Sequence, residues 1–261
     1  MTEWNASEYN RRSALQKWLA DKSLAGLDLR GSERVLDVGC GDGKITAEIA
    51  ERLPSGSVVG VDPSTGMIAF AREHFVADHA NLGFEVGDAT RLPYRDAFDL
   101  VVSFNALHWV PDQAAALCCI RDAMRPTGRS RLQLVSKGSR KPLEDVIEET
   151  CADPRWSKYF VDHHRPYLHL SPEDYRRLAE RCGLRVDHVD VALEAWDFGS
   201  RAAFTDFGAV TFVEWMRRIP AAEHREFIAD VLDRYQRVGD GSAADAAVFH
   251  FYQMRIALRR A

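Results

Sequence analysis

One stretch decides most of what this chain can become. Arg34 to Val38 is a short apolar run, Gly39-Cys40-Gly41-Asp42-Gly43 follows it, and a helical pattern from Lys44 to Leu53 comes next. A strand that turns on glycines directly into a helix opens a βαβ unit. The backbone must reverse sharply or approach a ligand closely, and glycine does both at little steric cost. The helix behind the turn presents unpaired N–H groups, which favour a negative group such as a carboxylate. Taken alone, the pattern also fits a plain structural role, in which glycines only let a strand meet a helix.

The downstream rhythm repeats the unit. Val58 to Val61 reads as a second strand closed by Asp62-Pro63, with a helix from Ser64 to about His79. Leu82 to Val86 is a third strand ending at Gly87-Asp88, and Phe98 to Phe104 a fourth. A helix from about Asp112 to Met124 leads to a Pro126-Thr127-Gly128 turn and a fifth strand, Arg131 to Val135. Strands written as continuous apolar runs are buried on both faces, as in a parallel sheet, and their alternation with helices implies right-handed crossovers. The reading is an α/β, doubly wound, mostly parallel sheet.

Beyond Ser136 the rhythm changes. Residues 137–170 read as an insertion. Ser171-Pro172-Glu173-Asp174 starts a helix that Cys182-Gly183 stops, and a strand runs from Leu184 to about Leu193. Residues 200–246 form a second, mostly helical insertion, and Val248 to Leu258 is favoured as a closing strand over a helix. With an amphipathic helix from Ser7 to Leu24, the expected layout is an N-terminal lid helix (1–30), a core (31–136), a cap insertion (137–170), core again (171–199), a cap insertion (200–246) and a final core strand (247–261).

The spacing of the acidic residues points to a ligand. Dinucleotide enzymes use GxGxxG, whereas here Gly43 follows Asp42 directly. Asp37 precedes the glycines, Asp62 ends the second strand where a carboxylate accepts ribose hydroxyls, and Asp88 ends the third, placed for an adenine amino group. Ligands bind at such strand ends in open α/β sheets. Val35-Leu36-Asp37-Val38-Gly39-Cys40-Gly41-Asp42-Gly43, Val61-Asp62-Pro63-Ser64 and Gly87-Asp88-Ala89 resemble the S-adenosylmethionine (SAM) motifs of class I methyltransferases. The resemblance implies an enzyme with a seven-stranded Rossmann-like sheet and SAM as cofactor. It places Asp37, Gly39, Cys40, Gly41, Gly43, Asp62, Pro63, Ser64, Met67, Asp88, Ala89 and Asn105 at the cofactor.

Two further segments bear on the methyl acceptor. Asn105-Ala106-Leu107-His108-Trp109-Val110-Pro111-Asp112 follows the fourth strand, and the first helix carries Trp4, Tyr9, Ser13, Gln16 and Trp18. Both resemble the small-molecule carboxyl methyltransferases that act on trans-aconitate and juvenile hormone acid. Methyltransferases of malonyl carrier proteins have a similar segment after strand four. The resemblance implies that Gln16 and Trp109 donate hydrogen bonds to a substrate carboxylate. His108 is a further catalytic candidate, although an ordinary histidine on the rim of the site is the favoured reading. A carboxylate is already an anion at neutral pH, so it needs placement rather than a general base, whereas a phenol or amine requires a proton acceptor. The runner-up is methylation of a carrier-bound malonyl group, a carbon or a hydroxyl. A non-catalytic SAM-fold binding protein is the alternative from a different class.

Aromatic residues of the insertions (Trp156, Tyr159, Phe160, Tyr167, Trp196, Phe204, Phe207, Phe212, Trp215) suit an apolar or aromatic acid or the insertions' own core. Arg155, Arg165, Arg217 and Arg218 are candidates for a second acidic group. The net charge of −5, from 34 Lys+Arg against 39 Asp+Glu, argues against a nucleic-acid partner. No apolar run approaches the roughly 18 residues of a membrane span. Cys40, Cys118, Cys119, Cys151 and Cys182 include no CxxC pair, which fits reduced thiols and a cytoplasmic location. His163, His164 and His169 lack neighbours at ligand spacing, so no metal is expected. A monomer or a homodimer fits equally well.

Overall fold

The computed structural model describes residues 14–239 and 244–261, the side chains at 14, 16, 17, 20, 244 and 245 excepted. In chain order the elements are α1 (Ala14–Ala25), β1 (Arg34–Val38), α2 (Lys44–Glu51), β2 (Ser57–Asp62), α3 (Thr65–Phe75), β3 (Leu82–Val86), β4 (Phe98–Phe104), α4 (Gln113–Ala123), β5 (Met124–Ser136), α5 (Leu143–Cys151), α6 (Pro172–Arg181), β6 (Leu184–Asp197), α7 (Arg201–Thr211), α8 (Val213–Met216), α9 (His224–Val238) and β7 (Val248–Arg260). The contacts divide the chain into two units. One comprises residues up to 136, 167–191 and 253–261. The other comprises 137–166 and 192–252.

The first unit holds the sheet that the sequence implies. Among the described residues it has seven strands in the order β3-β2-β1-β4-β5-β7-β6, and β3, β2, β1, β4 and β5 pair in parallel. Alternate residues of the central strands feed two cores. Val35, Leu100 and Val102 pack with Ile49 of α2 and Ile68 of α3. Leu36 and Val101 pack with Leu117 of α4 and Tyr175 of α6. Helices therefore cover both faces, and the apolar runs of β1 and β4 are buried on both sides as their composition requires.

The helix starts follow from capping chemistry. The Ser64 hydroxyl accepts from the Met67 amide at 3.2 Å, Asp112 from Ala115 at 2.9 Å, and Ser171 from Asp174 at 3.1 Å with Pro172 in the first turn. Each satisfies an N–H that would otherwise lack a partner. Val248 onward is a strand, as favoured, and runs to Arg260.

The fifth strand departs from expectation. Pro126-Thr127-Gly128 is not a turn preceding it but part of it, since β5 begins at Met124. Met124 pairs with Phe98 and Arg129 with Leu100, so the register breaks between them. The surplus residues bulge where Pro126 has no amide proton for the ladder.

The second unit contains α5, α7, α8 and α9 and has its own core. Trp156 and Trp215 are fully buried. Their indole N–H groups donate to Asp230 and Glu148, each at 2.8 Å. Phe227 meets Trp156 edge-on at 5.2 Å, and Phe204, Phe207 and Phe212 are buried. These aromatic side chains pack the unit itself. Three of the four arginine candidates, Arg218 excepted, are also engaged within it: Arg155 pairs with Glu226, Arg165 with Asp145 and Arg217 with Glu214. Those charges, invoked for a second acidic group, are thus already compensated by these carboxylates.

Candidate functional site

The glycine turn lies at the carboxyl end of β1 and is tied to the end of β2. The Gly39 and Cys40 amides both donate to the Val61 carbonyl, at 2.7 and 3.1 Å. Asp62 completes the tie. One carboxylate oxygen accepts from the Gly41 amide at 3.0 Å, the other from Ser64 at 2.9 Å. Asp62 thereby holds the turn and the start of α3 in one frame.

Gly39 and Gly41 serve different ends. Gly39 has φ 78°, and a Cβ built on it would lie 2.2 Å from the Ala106 Cβ in the segment after β4. Gly41 has φ 55° and would meet nothing within 4 Å. One glycine lets two chain segments close; the other faces open space that a ligand's own atoms can enter. Gly43 is the N-cap of α2 and supplies no side-chain cap; the Lys44 amide donates to the Asp42 carboxylate at 3.3 Å, and the other first-turn N–H groups suit an incoming carboxylate.

Acidic groups surround this turn. Asp37 is buried and accepts from the Thr46 hydroxyl at 2.7 Å. Burial, opposed by Thr46 and reinforced by the Asp62 charge, pushes its carboxyl up to about 7. Burial also raises Asp42, against the Lys44 amide and charge. The Cys40 thiol is pushed well up by burial and then by Asp37 and Asp62, so it stays protonated and is no nucleophile. Asp88 accepts from the Thr90 amide and hydroxyl through one oxygen, each at 2.8 Å. Its second oxygen has no partner among the described residues, and it lies half-buried beside Ala89.

This donor set fits SAM and not a dinucleotide. The carboxylates of Asp62 and Asp88 would repel a pyrophosphate but suit a ligand with a sulfonium and an ammonium. The first turn of α2 suits its one carboxylate.

Other expected cofactor residues sit differently. Ser64 and Met67 are 1% and 4% exposed, and the Ser64 hydroxyl is used to cap α3. Pro63 is exposed between them. Asn105 leaves β4 with φ 57°, a left-handed conformation that asparagine tolerates better than most residues, and its amide donates to the Gln133 carbonyl at 2.7 Å.

The segment after β4 forms a 3₁₀ turn, Leu107–Trp109. His108 is not on a rim. It is 4% exposed, and burial followed by the neighbouring His169 lowers its pKa well below the usual histidine range, which keeps it neutral. Trp109 is half-buried, its ring edge-on to Tyr167 at 6.2 Å. Tyr167 in turn contacts His169 at 4.7 Å, and His169 lies 5.9 Å from His108. The sequence reading assigned Tyr167 to an insertion and His169 to a rejected metal site, and missed their meeting with Trp109. Backbone bonds make that meeting: the Leu168 amide donates to the His108 carbonyl at 2.8 Å, and the Gln113 side chain donates to Leu168 and Leu107 carbonyls. No local pattern signals these contacts. The side chain of Gln16, together with Trp4, Tyr9 and Ser13, lies outside the described residues.

Among the described residues no group of three or more His, Cys, Asp or Glu side chains is spaced to hold a metal ion, and no helix is long and apolar enough to cross a membrane.

Comparison with known proteins bears on this geometry. A family model described as "Methyltransferase domain" matches residues 35–128. The trans-aconitate 2-methyltransferase of Variovorax paradoxus is 30% identical over 88% of this chain and 88% of its own length. The malonyl-[acyl-carrier protein] O-methyltransferase of Geobacter sulfurreducens is 30% identical over 93% of this chain and 80% of its own. A Bacillus halodurans crystal structure titled as a methyltransferase superposes with TM-score 0.65 at 18% identity, covering 92% of this chain and 97% of the other.

Proposed function

Since the chain belongs to the class I SAM-dependent methyltransferases, we propose that it esterifies the carboxylate of a small organic acid. When bound, SAM supplies a methyl group on a positively charged sulfur. Asp62 receives the ribose hydroxyls, the free oxygen of Asp88 receives the adenine amino group, and the first turn of α2 receives the methionine carboxylate. Trp109 donates its indole N–H to the acceptor carboxylate, with the Gln16 amide as second donor. His108, buried beneath the turn, positions Trp109 rather than touching the acceptor.

One observation carries the choice of acceptor. The wall beyond β4 is built from Trp109, Tyr167, His108 and His169, and neither imidazole has a carboxylate hydrogen-bond partner among the described residues. A hydroxyl or amine acceptor calls for a base oriented by a third group. A carboxylate calls for none, because it is ionised at neutral pH. The acceptors in the names of the two relatives, trans-aconitate and a malonyl group, also carry carboxylates. The aromatic wall favours an acid with an apolar or aromatic body.

The test is a panel of aliphatic, aromatic and polycarboxylic acids incubated with the chain and SAM, with products followed by mass spectrometry. A gain of one methyl that mild alkali removes supports the ester. A methyl that survives alkali, as an ether or carbon methyl does, overturns the reading.

A further inference from the structure

The sheet has a second polar feature away from its strand ends. Leu132, Leu134, Met254, Ile256 and Leu258 pack into the core with Leu117 of α4 and Tyr175 of α6. The alternate residues of β5 and β7 therefore face the opposite side, and beside Val135, Phe251 and Ala257 they include Arg129, Arg131, Gln133, Gln253, Arg255 and Arg259. A sheet face meant only for packing carries Val, Ile and Leu. This one carries arginine and glutamine as well, and it borders a cleft of about 290 Å³ whose lining includes Lys22, Leu27, Phe104, Arg131, Gln133 and the Arg255–Asp190 pair.

Most of these charges are compensated. Arg129 lies 3.6 Å from Glu33, Arg255 pairs with Asp190 at 3.2 Å and Arg259 with Asp187 at 2.7 Å. Arg131 forms no ion pair within 4 Å among the described residues, although it is half-buried. Burial and the neighbouring Arg129 lower its pKa, against Asp187; a guanidinium nonetheless remains charged. Beside it, Gln133 is 3% exposed, and its Nε2 has no hydrogen-bond partner. Gln253 is fully buried with neither amide atom partnered. Buried polar groups are almost always satisfied, so an uncompensated cation beside the unmatched Gln133 amide at one cleft has the make-up of a ligand site.

We infer that this cleft binds a small anion with an apolar body, its carboxylate or phosphate head taking the Arg131 guanidinium and the Gln133 amide while Leu27, Phe104 and the stem of Lys22 cover the rest. The planar fork of arginine suits either oxyanion. The volume is near the lower end for ligand sites. The site is on the flank of the sheet, whereas the SAM crevice is at its carboxyl ends, yet the two are one residue apart along β4. Phe104 lines the cleft, Asn105 follows it, and the Gln133 carbonyl holds the Asn105 amide at 2.7 Å. An occupant that shifts Gln133 therefore shifts the turn that carries Trp109, which makes the cleft an effector site. The inference does not depend on which acceptor is methylated.

Octanoate and phenyl phosphate serve as probes, titrated calorimetrically into the full chain and into Trp109→Ala, which removes the acceptor wall. One-to-one binding of either probe in Trp109→Ala, weakened at least tenfold by adding Arg131→Met or Gln133→Leu, is the expected result. Arg131→Lys retains part of the affinity, and SAM binding by Arg131→Met at wild-type strength verifies that the variant is folded. A stronger octanoate signal assigns the head group as carboxylate, and a stronger phenyl phosphate signal as phosphate. Equal probe affinity with and without Arg131→Met, or no binding of either probe, overturns the inference. Failure of the acid panel would leave these outcomes unaffected.

Discussion

Alanine at Gly39 and alanine at Gly41 are expected to damage the protein in different ways. Both positions have positive φ, 78° and 55°, and an L-residue there loses roughly 1–2 kcal/mol. The surroundings then separate them. At Gly39 the new Cβ would lie 2.2 Å from that of Ala106, while at Gly41 it meets nothing within 4 Å. Restoring ordinary contact at Gly39 means pushing the segment after β4 off the turn, an overpacking cost of about 1–3 kcal/mol. Gly39→Ala should therefore lose about 2–5 kcal/mol in total and Gly41→Ala only the backbone share.

Ligand affinity should discriminate in the opposite sense for its size. The methyl of Gly41→Ala enters the open space that the cofactor is proposed to fill, so the stable variant should bind S-adenosylhomocysteine at least about tenfold more weakly, near 1.4 kcal/mol. Urea unfolding followed by tryptophan fluorescence measures the first effect, and calorimetry with S-adenosylhomocysteine the second. If Gly41→Ala binds that nucleoside like the wild type, the open face of the turn is not the cofactor's place. If it loses as much stability as Gly39→Ala, the distinction between a packing glycine and a ligand-facing one is mistaken.

Four other outcomes follow from the same geometry. Asp62→Ala should weaken SAM binding by roughly 1.5–3 kcal/mol through lost charge-assisted hydrogen bonds, and unchanged calorimetric affinity would contradict the ribose assignment. Burial pushes the Asp37 carboxyl up to about 7 from the usual aspartate value of 3.8, so the folded state binds the proton more tightly and stability should fall as pH rises from about 4 to 7, by a total on the order of 4 kcal/mol; Asp37→Asn should flatten that fall in a series of urea midpoints, and a parallel series would refute the cause. Glu33 is buried, and although burial raises its pKa, the Arg30 and Gly31 amides and Arg129 outweigh that and lower it; its stabilisation is present above the usual glutamate range and lost as pH falls through the lowered value, so Glu33→Gln should cost about 1.5–3 kcal/mol at pH 7 and much less at pH 3, checked by thermal melts at both. Trp109→Phe keeps the ring but loses the indole N–H, so turnover should drop at least about tenfold with SAM affinity little changed; equal turnover would remove Trp109 from the acceptor site.

What the sequence made legible is what short-range chemistry encodes. The strand, glycine turn and helix around Gly39, the acid that ends β2 and the serine caps at Ser64 and Ser171 each depend on neighbours within a few residues. The misread features depend on distant partners. Pro126-Thr127-Gly128 has the composition of a turn, and only pairing of Met124 with Phe98 and Arg129 with Leu100 draws it into a strand. The wall around Trp109 depends on Gln113 reaching Leu168, 55 residues away. Periodicity cannot register that contact, which is why Tyr167 and His169 were assigned elsewhere.

The charges of the two halves of the site bear on why the chemistry is favourable there. Asp62 and Asp88 are proposed to face the cofactor, while in the wall of Trp109, Tyr167, His108 and His169 the buried His108 imidazole stays neutral. The proposed transfer joins a sulfonium and a carboxylate and leaves a thioether and an ester, so two opposite charges vanish. Such a reaction loses charge as it approaches the transition state, and water, which stabilises separated charge best, opposes it. On the proposed reading, an aromatic wall whose indole N–H orients the acceptor together with the Gln16 amide does not solvate it fully, so little stabilisation is surrendered as the charge disappears. An arginine in that position would hold the acid more firmly, but it would stabilise the ground state more than the transition state. The acidic cradle escapes that penalty, because Asp62 and Asp88 are proposed to contact the ribose and adenine, which do not react, and their contribution is therefore the same before and during transfer.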